Sequence, residues 1–150
     1  MRRIALFVVL ALAACASDPL AAFRYAGPQA PQTASGQAPA PAAAIEAMVA
    51  GNTLVGVTRD GNRWARHLRP GGTYAAYSFP SAPPATGRQW TFTRGVWRAD
   101  EGRLCFRPEE GRQENCFRIV AGSGVLHAYT EKDGVWQFSA EARTGNPFEL

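Results

Sequence analysis

The sequence predicts an all-β fold, mainly antiparallel: a small meander barrel or sandwich of about eight strands, preceded by one short helix. Three observations predict it. Short runs rich in aromatic and β-branched residues recur between Thr53 and Ala140. Glycine-containing turns punctuate them at Asp60-Gly61, Pro70-Gly71-Gly72, Glu101-Gly102 and Asp133-Gly134. Most links between runs are too short for the crossovers that parallel strands need.

The helix comes first. Ala42 to Ala50 is alanine-rich, and alanine is the best helix former. Ile45, Met48 and Val49 stand at i, i+3 and i+4, one apolar face, and Gly51 suits a left-handed cap. The expected strands are Thr53 to Thr58, Arg63 to Leu68, Thr73 to Phe79, Gln89 to Thr93, Val96 to Ala99, Arg103 to Arg107, Cys116 to Val120, Val125 to Glu131 and Val135 to Ala140. Asp-Gly pairs suit tight hairpins because glycine accepts positive φ. Gly122-Ser123-Gly124 reads as a further turn, not a phosphate loop leading into a helix.

Alternation along a strand separates buried from exposed positions. It assigns Leu54, Trp64, Leu68, Trp90, Phe92, Trp97, Leu104, Phe106, Phe117, Ile119, Leu126, Trp136 and Phe138 to the core. Cys105 and Cys116 fall on the two strands of one hairpin and point to the same face. In an oxidising compartment they are expected to form a disulfide, which would stabilise the fold by about 3 kcal/mol in the chain-entropy model. A redox or metal pair is the alternative. Reactive pairs usually sit as Cys-x-x-Cys, and zinc needs more ligands than these.

The N-terminus has three parts: Arg2 and Arg3, the apolar run Ile4 to Leu12, and then Ala13-Ala14-Cys15. The run is shorter than the roughly 20 residues that span a bilayer, and the pattern is that of a secretory signal. Leu12-Ala13-Ala14-Cys15 resembles the lipobox of bacterial lipoproteins. That resemblance implies cleavage before Cys15 and a diacylglycerol on its thiol. Ala14-Cys15-Ala16 also fits ordinary small-x-small cleavage. Three cysteines leave one odd in an exported chain, and lipidation of Cys15 removes the oddity. Multiple acylation would anchor the protein stably to a membrane without a transmembrane helix. Ala16 and Ser17, rather than Asp, follow the cysteine. By the lipoprotein sorting rule this implies the outer membrane, with the domain facing the periplasm.

Residues 1–14 are thus read as signal peptide, 15–41 as a lipid-anchored flexible linker and 42–150 as a single β-barrel-like domain. The linker is rich in Ala, Pro and Gln. Its only aromatics, Phe23 and Tyr25, would touch either the membrane or the domain.

Sixteen basic residues face twelve acidic ones, and loss of Arg2 and Arg3 leaves fourteen against twelve. No basic run appears, so nucleic acid is not an expected partner. Lys132 is the one lysine. The arginine bias reads first as codon usage, and second as recognition of carboxylates or phosphates by planar guanidinium groups.

Catalytic chemistry finds few candidates. His67 and His127 sit in no nucleophile motif, and Asp100-Glu101 and Glu109-Glu110 fall in turns. No catalytic residue, metal ligand or cofactor is assigned, and no enzyme activity is expected. A His67 or His127 buried beside a serine or carboxylate in a cleft would reopen the question.

The folded part resembles a group of small exported bacterial domains of unknown function. The resemblance rests on ordered pieces: Gly51-Asn52-Thr53-Leu54, Pro70-Gly71-Gly72-Thr73, Gly95 to Arg98, Gly102-Arg103-Leu104-Cys105, Cys116 and Gly145-Asn146-Pro147. In that group the common turn is Pro-Asp-Gly-Thr, and Gly71 replaces the Asp here. The resemblance implies a small barrel-like fold and transfers no catalytic role.

Two functions fit these readings. The first is a non-enzymatic envelope lipoprotein that binds a protein or cell-wall partner, hydrolase inhibition being one form. It would use an exposed surface around Trp64, Arg66 and Tyr77. The second is a lipocalin-like carrier of a small apolar ligand, since an eight-stranded barrel can hold one. Trp64, Trp90, Trp97 and Trp136 would then line a cavity, where the plainer expectation is that they fill the core. Oligomeric state is not legible in the sequence.

Overall fold

The computed structural model describes residues 21–150 apart from Pro83, Pro84, Arg88 and Arg112. The expected signal segment and Cys15 lie outside the described residues. Eight antiparallel strands follow one another around a closed barrel: β1 (Thr53–Thr58), β2 (Arg63–Leu68), β3 (Thr73–Phe79), β4 (Thr91–Asp100), β5 (Arg103–Pro108), β6 (Asn115–Gly122), β7 (Val125–Tyr129) and β8 (Trp136–Arg143). β8 returns to pair with β1, Gly56 opposite Ala140. Closure leaves no free sheet edge.

The strands form where aromatic and branched residues alternate with polar ones, and they end at the turns the sequence marks. Glu101 and Gly102 both have positive φ, 39° and 84°, as the two-residue hairpin between β4 and β5 requires. One boundary differs from expectation. The two runs expected at Gln89 to Thr93 and Val96 to Ala99 are a single strand, β4, continuous through Arg94 and Gly95. Gly95 does not break it. A Cβ there would lie 2.3 Å from the Arg107 carbonyl oxygen and 2.7 Å from Tyr74 Cε1, so close approach demands the glycine.

One end of the barrel is closed by α1 (Ala42–Val49), whose Ile45 and Val49 are buried against the inward side chains. Gly51, at φ 77°, donates its N–H to the Leu68 carbonyl (2.7 Å) and turns the chain from helix into β1. Beneath the helix, Leu54, Leu68, Leu104, Ile119 and Leu126 are fully buried and fill this half of the lumen.

Residues 21–41 depart from the free linker expected for them: they run along the outside of the barrel. Phe23, in a 3-10 turn (Ala21–Phe23), stacks on Phe148 and packs against Tyr77 and Phe79. Arg143 donates to the carbonyls of Ala22 and Arg24, Thr33 bridges to Val135, and the Ala40 N–H reaches the Ile119 carbonyl. Arg118 donates to the carbonyls of Ala34 and Gln37. The composition reads as a linker because it lacks apolar periodicity. Backbone and arginine hydrogen bonds hold the segment instead, and these leave no periodic trace.

Cys105 and Cys116 face each other across β5 and β6 and form the expected disulfide. It lies on the outer wall, as Arg103, Cys105 and Arg107 alternate with inward Leu104 and Phe106.

Three aromatics assigned to the core lie elsewhere. Phe92 is 39% exposed and pairs with Tyr77 on the outer wall, and Trp90 packs edge-on against the same Tyr77. Trp136 is half-buried, with Nε1 donating to Ser139 Oγ at 3.0 Å. A register shift at Ala128/Tyr129 resets the alternation at the start of β8 and turns this ring to the outside.

Candidate functional site

The register fixes which residues share the lumen. β2 turns Trp64, Arg66 and Leu68 inward; β3 turns Tyr74, Ala76 and Ser78 inward; β4 contributes Thr93, Gly95 and Trp97. β5 adds Leu104 and Phe106, and β8 adds Phe138 and Ala140. Arg66 is therefore a cation inside the barrel. Its cross-strand neighbours are Leu54 on β1 and Ala76 on β3, one apolar and one small.

Three rings surround the guanidinium. Cζ lies 3.9 Å from the centroid of Phe106, 4.8 Å from Tyr74 and 5.2 Å from Trp64. Cation–π attraction offsets part of the cost of taking the charge out of water. Glycines seat two of the rings. Trp64 lies over Gly56, its cross-strand partner, where a Cβ would fall 2.4 Å from Cζ2. Tyr74 lies over Gly95 in the same way. Tyr74 and Phe106 meet edge to face at 5.6 Å.

Among the described residues Arg66 has no ion pair, and its Nε has no hydrogen-bond partner. Burial lowers the Arg66 pKa to about 10, with Tyr74 opposing the shift, so the group stays cationic at neutral pH. Tyr74 is raised by burial and held back by Arg66. Although it points into the barrel, Arg66 remains partly exposed, unlike Leu68 beside it.

The end opposite α1 leads towards this cage. Phe117 and Phe138 meet at 5.1 Å, and Phe138 meets Trp64 edge to face at 5.3 Å. A cavity of about 470 Å³ opens there, lined by Thr58, Arg59, Asp60, Asn62, Phe117, Gln137 and Phe138.

The expected surface of Trp64, Arg66 and Tyr77 is corrected by this geometry. Trp64 and Arg66 share the lumen, whereas Tyr77 faces outward. Period two already places Arg66 on the face of Trp64 and Leu68, so the signal for a luminal arginine was present. Tyr74, Phe106, Gly56 and Gly95 as cage residues were not assigned from sequence, because their roles depend on strand register.

Both histidines lie outside the barrel and touch hydroxyls. His127 Nδ1 and Ser139 Oγ share a 2.7 Å hydrogen bond, and His67 Nδ1 is 3.2 Å from Thr53 Oγ1. Burial lowers the pKa of both, with the Arg69 charge adding to the shift at His67. Ser139 lines a groove of about 420 Å³ between the N-terminal segment and the barrel wall, with Tyr25, Val57 and Trp136. Ser139 is 1% exposed and its oxygen also accepts from Trp136, so it is held as a buried structural link. Thr53 likewise donates to the Gly145 carbonyl (2.7 Å). Cys105, Glu114 and Cys116 cluster closely enough for a metal, but the two sulfurs are joined to each other.

Comparison with protein-family models, curated proteins and solved structures finds no match to this chain.

Proposed function

We propose that the protein is a lipid-anchored envelope protein that acts without catalysis by holding a small ligand inside its barrel. The observation that carries this reading is Arg66: a cation turned into an aromatic lumen, without an ion-pair partner among the described residues and with its Nε unpartnered. A protein filling its interior for stability alone would place an apolar side chain there. Burying an unpaired charge costs stability unless something compensates it. The aliphatic half under α1 and the aromatic half around Arg66 support a lumen specialised at one end.

The anchor is Cys15, and the domain faces the periplasm from the outer membrane. The motif at Leu12 to Cys15 supports this part, and a Cys15→Ser chain that still incorporates labelled fatty acid would end it. Luminal binding is tested by native mass spectrometry of the exported Cys15→Ser chain. An extra mass that leaves on denaturation is the expected result. A bare mass, together with no uptake of added amphiphiles, would remove the carrier reading.

Binding of a protein partner is the second reading, and one observation favours it. Phe92 and Val96 are 39% and 38% exposed on the outer face of β4, with the Arg94 guanidinium over the Phe92 ring at 5.2 Å. Crosslinking from position 92 in intact envelopes would capture a partner if this face is occupied.

A further inference from the structure

We propose that the luminal ligand carries a carboxylate, which Arg66 receives at the inner end of the site while the apolar body lies on the aromatic rings towards the open end. This deepens the luminal-binding reading and rests on it.

The geometry orders the chemistry along the barrel axis. Beyond Arg66 the lumen is filled by Leu68 and Leu104 beneath α1, so a ligand stops at the guanidinium. Towards the open end come Trp64, then Phe138 and Phe117. β2 places Arg66 four residues from Asn62 at the rim, roughly 13 Å at strand rise.

The head group follows from the donor. A guanidinium presents a planar fork of N–H groups that matches a carboxylate through two parallel hydrogen bonds. Phe106, Tyr74 and Trp64 lie around the fork, with Cζ 3.9 to 5.2 Å from their centroids. A neutral head group would leave the cation unpaired. A carboxylate neutralises it in a water-poor site, where charge-assisted bonds are strongest.

The experiment uses the full exported Cys15→Ser chain, freed of bound lipid, and follows Trp64 emission or heat on titration with decanoate and with decanol. Decanoate is expected to bind at least about tenfold more tightly than decanol, the range for one charge-assisted contact. Arg66→Met is expected to abolish that preference while leaving decanol binding in place. Arg66→Lys is expected to restore only part of it, because an ammonium lacks the fork. Equal binding of decanoate and decanol overturns the carboxylate assignment but leaves luminal binding standing. Binding of neither overturns both. The two-ligand comparison on unsubstituted Arg66 needs no variant to fold.

Discussion

The two halves of the barrel lumen are built by the same strands and spend their side chains differently. Under α1, β1, β2, β5, β6 and β7 contribute Leu54, Leu68, Leu104, Ile119 and Leu126, all fully buried and all aliphatic. Two residues along β2, the lumen holds a cation ringed by aromatics. The first half has the close packing that stabilises a fold. The second keeps a group whose burial opposes folding.

The largest effect should come from the filled half. Leu104→Ala removes a fully buried side chain where the surroundings are tightly packed, and should cost about 2–5 kcal/mol in chemical denaturation. Under the luminal-binding proposal, the molecules that remain folded should retain decanoate affinity. Loss of affinity in step with stability would erase the division between the halves.

The disulfide ties β5 to β6 on the outer wall and belongs to neither half. Replacing Cys105 and Cys116 together by serine should lower stability by about 3 kcal/mol. Reduction of the unmodified protein should shift the denaturation midpoint equally, with no effect on which head group is bound.

Gly95→Ala strikes the cage. The added Cβ would meet the Arg107 carbonyl at 2.3 Å and the Tyr74 ring at 2.7 Å, so backbone or ring must move. A cost of about 1–3 kcal/mol is expected for such overpacking. Because Tyr74 is one wall around Arg66, near-ultraviolet circular dichroism should change as well. A stability loss with an unchanged aromatic spectrum would mean that Tyr74 is not held by this glycine.

The smallest effect is the pH dependence set by His67 and His127 outside the barrel. Burial depresses both below their ordinary value of 6.5. Between those depressed values and 6.5 the unfolded chain binds more protons than the folded one, so their contribution is complete above about pH 6.5 and declines as pH falls. The double variant His67→Gln/His127→Gln should flatten the fall in thermal midpoint on acidification. An unchanged slope would assign it to carboxylates such as Asp100, held low by hydrogen bonds from Arg98 and Arg103.

Legibility followed the physics of each element. The hairpin of Cys105 and Cys116 was readable because alternation and loop length are local. Trp64 and Leu68 were readable as core for the same reason, and the same alternation carries Arg66 inward with them. Charge argued for the surface at that position, and strand period overrode it. Phe92 and Trp136 failed in the opposite direction. Hydrophobicity argued for the core, but register with Tyr77 and the shift at Ala128/Tyr129 turned them outward. Residues 21–41 were misread because hydrogen bonds from Arg118 and Arg143 hold them.

By itself the sequence determined the antiparallel all-β class, most of the strands, the helix ahead of β1 and the cysteine pair, all properties of short windows where period, turn chemistry and propensity act. Only the tertiary structure decided closure of β8 on β1, the facing of glycines and rings across strands, and the meeting of Phe106 from β5 with Arg66 from β2. Those depend on which distant residues share a lumen, and a linear chain does not record that until the barrel is closed.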